Sequence, residues 1–287
     1  MTPLERISQE IEYLEPISPT LPRLAQLIDD PDSGLNEIVA VIEYDPMMTA
    51  NCLKLANSAY YATGYEVDTV RGAVQKLGTG RILEYSVGRE IGGRLKKACP
   101  EYGLRECELW EHSVAAATAA SLLPQFAKKP VHQAAFTASL LHDLGKIVMS
   151  RYLDEELLND IQNWIKSRKG TYVEAETAVL GCNHAQIGGL IARRWKFPAI
   201  LAESIAYHHD PRGKGPSSIV LDAVHVCNTV AKTIGIGIGT EEMNMAASAE
   251  AAGSLGLSPG SIEALCAATK IELPRVLSIF EEDKHVV

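Results

Sequence analysis

Residues 140–146 read Leu-Leu-His-Asp-Leu-Gly-Lys, so a histidine and an aspartate stand side by side at the end of an apolar helical segment. Neutral imidazole and carboxylate groups together suit divalent transition metals. Such an ion lowers the pKa of a bound water and neutralises phosphate oxygens, as phosphoester hydrolysis requires. Lys146 follows Asp143 by about one helical turn and could hold a phosphate there as a point charge. We therefore interpret His142 and Asp143 as candidate metal ligands, and Asp143 and Lys146 as candidate catalytic residues.

Helical signals surround this stretch on both sides. His132–Tyr152 is predicted as one helical segment, broken near Gly145. Towards the N-terminus, apolar residues recur at helical spacing, and Asp45 followed by Pro46 is typical of a helix start because Asp caps free amides and Pro suits the first turn. Long helices rich in Ala and Leu follow from Glu108 onward.

The C-terminal part continues the same pattern. Ser258 and Pro259 predict another helix start, and Pro274–Phe280 is predicted as a separate, short last helix. Strand signals are scarce, since no Asn-Gly or Asp-Gly turn lies between alternating apolar runs. The sequence therefore predicts an all-α protein, a compact bundle of more than ten helices.

Composition excludes several classes of protein. The 287 residues are 46% apolar and 22% charged, which excludes disorder as the main state. The net charge of −9 argues against binding to nucleic acid or to an anionic membrane, because both need a basic face. No apolar run approaches the ~20 residues that span a bilayer. The acidic start lacks an apolar signal core, so we expect a cytoplasmic protein.

The histidines are concentrated in the middle of the chain. Six of the eight fall between residues 112 and 209. A single histidine on an apolar helix is more often a hydrogen-bonded core residue than a ligand, and we assign His132 and His285 to the core or the surface. His208 and His209 could simply favour the negative end of a helix dipole. Such structural roles for single histidines do not explain why Asp143 and Lys146 stand beside His142, so they account poorly for the histidines taken together.

The order of these residues resembles the HD superfamily of metal phosphohydrolases, and more closely its HD-GYP branch. The resemblance covers His112, the His142-Asp143 pair, the segment 183–188, and Tyr207 with the histidine pair that follows it. It implies a centre of one or two divalent ions, of iron, manganese, zinc or nickel. The metal ligands that it implies are His112, His142, Asp143, His184, His208 and His209.

The first third of the chain resembles the HDOD domain, the HD-related output domain of bacterial signalling. The motifs are Leu21–Leu24, Tyr44–Pro46, Leu55–Tyr61 and Ala73–Gly78. The resemblance spans roughly residues 15–235. It implies a helical N-terminal subdomain packed on an HD-type core, and a signalling output or scaffold protein that binds a protein partner.

We divide the chain accordingly into an N-terminal helical subdomain at 1–105, an HD-like core at 106–235 and a helical tail at 236–287. The first boundary is a soft one, placed where Pro100 and Gly103 interrupt the helical pattern. Continuous packing across it is compatible with this division.

Two departures from the HD-GYP pattern weaken an enzymatic interpretation. The Gly-Tyr-Pro signature is absent after His209. The last aspartate of the HD pattern is replaced by Asn228, which offers a neutral oxygen and no negative charge, and Asp222 would face elsewhere on the helix. The resemblance to the HD-GYP branch implies hydrolysis of cyclic di-GMP. Because of these two departures, we expect that activity to be weak or absent. A metal-dependent phosphohydrolase, acting on a cyclic dinucleotide or another phosphoester, is the alternative function.

Two further motifs receive structural interpretations. Asn57–Tyr61 could be a recognition surface for a partner, but we favour a helix end over which Tyr60 and Tyr61 pack. The alternating glycines at 235–239 follow no strand, so they predict a flexible connector and no nucleotide-binding loop.

Overall fold

The computed structural model describes residues 3–62, 64, 66–212, 218–240 and 247–281. Within these ranges the chain folds into helices joined by short turns and contains no β-strand, which confirms the all-α prediction. Residues 213–217, which follow His209, and His285 lie outside the described residues. None of the described helices has the length and apolar character needed to cross a bilayer.

The N-terminal helices begin and end at signals that the sequence carries. The Asp45 carboxylate accepts hydrogen bonds from the amides of Met47 and Met48, with Pro46 in the first turn, as predicted. The bounds of these helices are α1 (Pro3–Glu12), α2 (Thr20–Asp29), α3 (Leu35–Glu43), α4 (Pro46–Asn57), α5 (Val70–Leu77) and α6 (Thr79–Leu95).

Eight helices follow and form the centre of the molecule. The alanine-rich α7 is almost wholly buried, and its small side chains let α8 and α14 pack closely against it. The bounds are α7 (Glu108–Leu122), α8 (Ala134–Leu141), α9 (Gly145–Tyr152), α10 (Glu155–Arg168), α11 (Tyr172–Leu180), α12 (His184–Arg194), α13 (Ala199–Ala206) and α14 (Ile219–Thr233).

The C-terminal part adds α15 (Ala249–Ser254) and α16 (Pro259–Glu281). The prediction of a separate last helix at Pro274 is wrong, because α16 runs through this proline without a break. A proline inside a helix costs a hydrogen bond. Here the cost is offset by burial of Leu265, Leu273 and Phe280 on a helix that packs against α7 and α14. The three-part division of the chain stays a prediction.

The Asn57 motif has the structural role that the sequence favoured. The Asn57 side chain bridges the loop that follows it, since its amide donates to the carbonyl of Val67 and its oxygen accepts from the Val67 amide, both at 2.8 Å. Tyr60 reaches across to α16 and donates its hydroxyl proton to Glu272 at 2.5 Å. This motif therefore ties a loop of the N-terminal helices to the last helix.

Candidate metal centre

The predicted break near Gly145 is a tight turn at His142–Leu144, between α8 and α9. A Cβ atom on Gly145 would lie 1.9 Å from the carbonyl oxygen of His184. Glycine at this position therefore lets the start of α9 touch the start of α12. The same contact brings His184 beside the His142-Asp143 pair.

A first group of side chains surrounds one oxygen of Asp143. Asp143 Oδ2 lies 3.3 Å from Nε2 of His142 and 3.6 Å from Nε2 of His112. These two imidazole nitrogens are 3.2 Å apart. Asn228 on α14 also faces the group, with its Oδ1 3.1 Å from Nε2 of His112. The amide thus occupies the position at which the sequence resemblance expects a carboxylate.

A second group surrounds the other oxygen of the same carboxylate. Asp143 Oδ1 lies 3.4 Å from Nε2 of His184 and 3.7 Å from Nε2 of His208. His209 completes the group, with its Nε2 3.0 Å from that of His184. Within each group the potential ligand atoms lie within 4.8 Å of one another. Asp143 is the member common to both groups, so it would be a ligand to whichever ion either group held.

The outer nitrogen of four of these rings has a fixed partner. Nδ1 of His112 bonds the carbonyl of Ile236 at 2.8 Å, and Nδ1 of His142 bonds that of Ser139 at 2.6 Å. Nδ1 of His208 likewise bonds the carbonyl of Ile205 at 2.8 Å. A carbonyl oxygen can only accept, so in these rings Nδ1 carries the proton.

The fourth fixed ring is that of His184. Its Nδ1 donates to Glu176 Oε2 at 2.8 Å, and the backbone amide of His184 donates to the same oxygen at 3.2 Å. The other carboxylate oxygen accepts from the Tyr102 hydroxyl at 2.5 Å. Glu176 is fully buried. A carboxylate behind a ligating imidazole orients the ring and raises its basicity.

These partners leave four Nε2 atoms directed at Asp143. Burial lowers the pKa of His112 to about 4 and holds that of His208 well below its usual range, so both rings are neutral at pH 7. Nε2 of His208 and Oδ1 of Asp143 are buried without a hydrogen-bond partner among the described residues. Buried lone pairs that face one another without a proton are unfavourable, whereas a cation between them would bond each of them.

Lys146 lies at the edge of the same cluster. Its Nζ is 2.8 Å from Asp143 Oδ2, and the side chain is buried against the ring of Tyr102. Burial alone would raise the pKa of Asp143, but the neighbouring His142 and Lys146 hold it well below its usual range. The carboxylate is therefore ionised at neutral pH. The structure places Lys146 beside the cluster; its catalytic role stays a prediction.

The remaining polar predictions are resolved by position. Asp222 faces away from the cluster and accepts a hydrogen bond from Arg212 at 2.7 Å, as the helix periodicity indicated. His132 lies at the surface, 3.5 Å from Asp29. The expectation of a flexible connector at 235–239 does not hold, because Ile236 orients His112 and a Cβ on Gly237 would lie 2.6 Å from His112 Cβ.

Sequence reasoning did not single out Glu176 or Ile236. Glu176 carried a usable signal, because it lies one helical turn from both Tyr172 and Leu180 on the apolar face of a predicted helix. A carboxylate on such a face needs a buried partner. Ile236 carried none, because its contribution is a backbone carbonyl.

Comparison with known proteins places the chain in a family. The HDOD domain model matches residues 14–211. The chain is a member of the HDOD domain family. A curated relative, an uncharacterised protein of Treponema pallidum (strain Nichols), is 26% identical over 207 residues, which cover 71% of this chain. The match covers 39% of that relative, so the HDOD chain spans about two fifths of its length.

Solved structures share the HDOD fold. An HDOD domain protein of unknown function from Geobacter sulfurreducens has a TM-score of 0.70 at 21% identity, with 98% of both chains covered. A candidate signal transduction protein from Marinobacter aquaeolei VT8 has a TM-score of 0.72 at 21% identity, over 94% of this chain and 60% of that one. A candidate phosphohydrolase from Shewanella amazonensis SB2B has a TM-score of 0.64 at 21% identity, over 94% and 97%. At these identities the likeness concerns the fold alone.

Proposed function

We propose that this HDOD protein is a cytoplasmic bacterial signalling output or scaffold protein that acts through contacts with a protein partner, and whose core holds one or two divalent transition-metal ions. The observation that carries the metal part is the set of four imidazole Nε2 atoms directed at one ionised carboxylate, with those of His112 and His208 on neutral rings. Imidazole with carboxylate suits iron, manganese, zinc and nickel alike. The signalling part is supported by membership of the HDOD family. The net charge of −9 supports a protein partner over nucleic acid or an anionic membrane.

The charge balance supports a binding role more than turnover. The opposite charges of Asp143 and Lys146 cancel. Among the described residues around the cluster, only the carboxylate of Glu176, behind His184, would then offset the charge of a bound divalent ion. Asn228 adds no negative charge. His112, His142, Asp143, His184 and His208 are each at most 1% exposed. Ligands this deeply buried leave a phosphoester little access to the centre, which supports a metal that is bound without turnover.

A metal-dependent phosphohydrolase is the second candidate. It is favoured by Lys146, whose ammonium lies 2.8 Å from the carboxylate common to both ligand groups. A bound metal would supply an activated water and a Lewis acid for phosphate oxygens. His209 is the least buried member of the set, so a substrate would approach the centre most readily beside it. The absent Gly-Tyr-Pro signature speaks against cyclic di-GMP as the substrate.

The metal part of the proposal is tested by measuring how much metal the purified protein contains. The chain is purified without chelators or metal-affinity steps, and bound metal is measured by mass spectrometry for the natural sequence, Asp143→Asn and the exposed control Asp160→Asn. We expect about one ion or more per chain, lost in Asp143→Asn and kept in the control. A metal-free protein that also fails to bind added Fe²⁺, Mn²⁺, Zn²⁺ or Ni²⁺ contradicts the metal proposal.

Turnover distinguishes the two candidate functions. The metal-loaded protein is assayed with bis(p-nitrophenyl) phosphate and with cyclic di-GMP. We expect little or no metal-stimulated release of product from either compound. Robust turnover that disappears in Asp143→Asn and persists in Asp160→Asn would instead establish the phosphohydrolase.

A further inference from the structure

A second cavity lies away from the metal cluster, where the N-terminal helices, the core and the last helix meet. Its volume is about 330 Å³, and its walls come mainly from α6, α7, α16 and the short turn at Ala59–Tyr61. None of the candidate metal ligands lines it. The volume is in the range of small-molecule sites, which favour such junctions.

Much of the wall is aromatic. Tyr60 and Tyr61 meet edge to face with ring centroids 4.7 Å apart, and Phe136 and Phe280 line the same cavity. The faces of aromatic rings carry partial negative charge and attract cations. Such walls accept an apolar body and favour a positive group over a negative one.

The charged groups of the cavity are predominantly acidic. Glu84 and Glu272 contribute carboxylates, and Arg81 is the one cation among the described lining residues. Arg81 lies between two partners, Glu84 Oε2 at 2.8 Å and the Ser121 hydroxyl at 2.6 Å. Its charge therefore offsets one carboxylate. The other carboxylate, that of Glu272, pairs with Arg275 at 3.4 Å, but this arginine is 68% exposed and does not line the cavity, so it offsets the charge of Glu272 only weakly.

Glu84 is held in an environment that opposes its charge. Its side chain is only 14% exposed. Burial raises its pKa to about 7, although Arg81 acts in the opposite direction. The titratable groups that share the cavity with it are Arg81 and Tyr85 on the same helix, Tyr60 and Tyr61 from the turn, and Glu272 from α16. A cation that entered the cavity would therefore be bound more tightly as Glu84 ionises.

We propose that this cavity binds a small organic cation, an ammonium group on an apolar body of about the size of one aromatic ring. The ammonium bonds the cavity carboxylates, and the body packs against the Tyr and Phe rings. Because the walls belong to α6, α7 and α16, such a ligand would strengthen the attachment of the last helix to the rest of the protein. The inference does not depend on the metal proposal.

The probes are three compounds that share a phenyl body and differ in charge: phenethylammonium, 2-phenylethanol and phenylacetate. Binding to the full chain is measured by isothermal titration calorimetry at pH 8. We expect saturable binding of phenethylammonium with a Kd below about 1 mM, which is modest for a ligand of this size. Glu84→Gln should weaken it about tenfold or more, since a charge-assisted hydrogen bond is lost. Glu263→Gln, an exposed change on α16, is the matched control.

Three results would overturn the inference. They are equal or tighter binding of 2-phenylethanol, preference for phenylacetate, and no binding of phenethylammonium below 1 mM. If Glu84→Gln fails to fold, Glu272→Gln takes its place as the variant expected to weaken binding. The natural sequence gives an independent readout, because affinity for phenethylammonium should rise between pH 6 and pH 8; a flat profile over this range counts against the role of Glu84.

Discussion

Asn228→Asp tests whether the amide on α14 stands in the place of a metal-ligating carboxylate. Asn228 and Asp143 both lie within 3.6 Å of Nε2 of His112. Without metal, the introduced carboxylate would therefore repel that of Asp143 across at most about 7 Å. At an effective dielectric constant near 20 this repulsion is ~3 kcal/mol. We expect the metal-free variant to melt below the natural protein.

With metal bound, we expect Asn228→Asp to raise the melting temperature instead of lowering it. A unit charge about 4 Å from a divalent ion gains ~8 kcal/mol at the same dielectric constant, and several kcal/mol are spent on desolvation. Changes to outer-shell groups alter metal affinity by ~10–100-fold, and a direct ligand should reach at least that. Asn228→Asp should therefore bind metal at least about 10-fold more tightly and melt higher than the natural protein when loaded.

The assay is a melting curve with and without added Mn²⁺ or Fe²⁺, together with metal content, for both proteins. Asn159→Asp, an exposed change on α10, controls for the added charge. If Asn228 is only a buried hydrogen-bonding residue, the introduced carboxylate is an uncompensated buried charge. Asn228→Asp would then melt lower under both conditions and gain no metal, and this result would refute the reasoning.

Three further predictions concern residues around the centre and the second cavity. Glu176→Gln keeps an acceptor for Nδ1 of His184 but removes its charge, so chelator competition should show metal affinity ~10–100-fold lower; an unchanged affinity contradicts the orienting role. Gly145→Ala forces a Cβ to within 1.9 Å of a carbonyl oxygen and should lower the free energy of unfolding in urea by ~1–3 kcal/mol or more, whereas a neutral effect would show that the turn relaxes freely. Burial raises the pKa of Glu84 from 4.5 to about 7, so its protonation contributes stability that is complete below pH 4.5 and lost as the pH rises through about 7. Glu84→Gln should therefore reduce the decline of the unfolding free energy between pH 5 and 8, by at most about 3 kcal/mol. Parallel pH profiles for the two proteins would contradict this.

The sequence predicted the parts of the fold that depend on local chemistry. The helix start at Asp45 and the break near Gly145 were readable because caps and turns act within a few residues. The candidate ligands were readable because imidazole and carboxylate side chains of one order and spacing resemble a known motif. Their convergence to within a few ångströms depends on the packing of α7, α8, α12 and α13, which the sequence pattern does not measure.

What the sequence missed follows the same division. Pro274 reads as a helix break locally, yet tertiary burial of α16 outweighs the lost hydrogen bond. Glu176 was overlooked because its partner His184 lies in the next helix. Ile236 could not be found at all, because any residue supplies the same carbonyl and only the path of the chain places it against His112.

The carbonyl of Ile236 also shows that the part of the chain matched by the HDOD model is shorter than the part that orients the candidate metal ligands. The match to the HDOD domain model ends at residue 211, and every candidate histidine lies at or before residue 209. The acceptor that selects the His112 tautomer lies 25 positions beyond the end of that match. A fragment trimmed to the matched region would retain all the candidate histidines and lose both Asn228 and the acceptor of His112. Excision at residue 211 would thus remove the group that fixes the ring orientation and tautomer of His112, and metal affinity would fall although every candidate ligand histidine is kept.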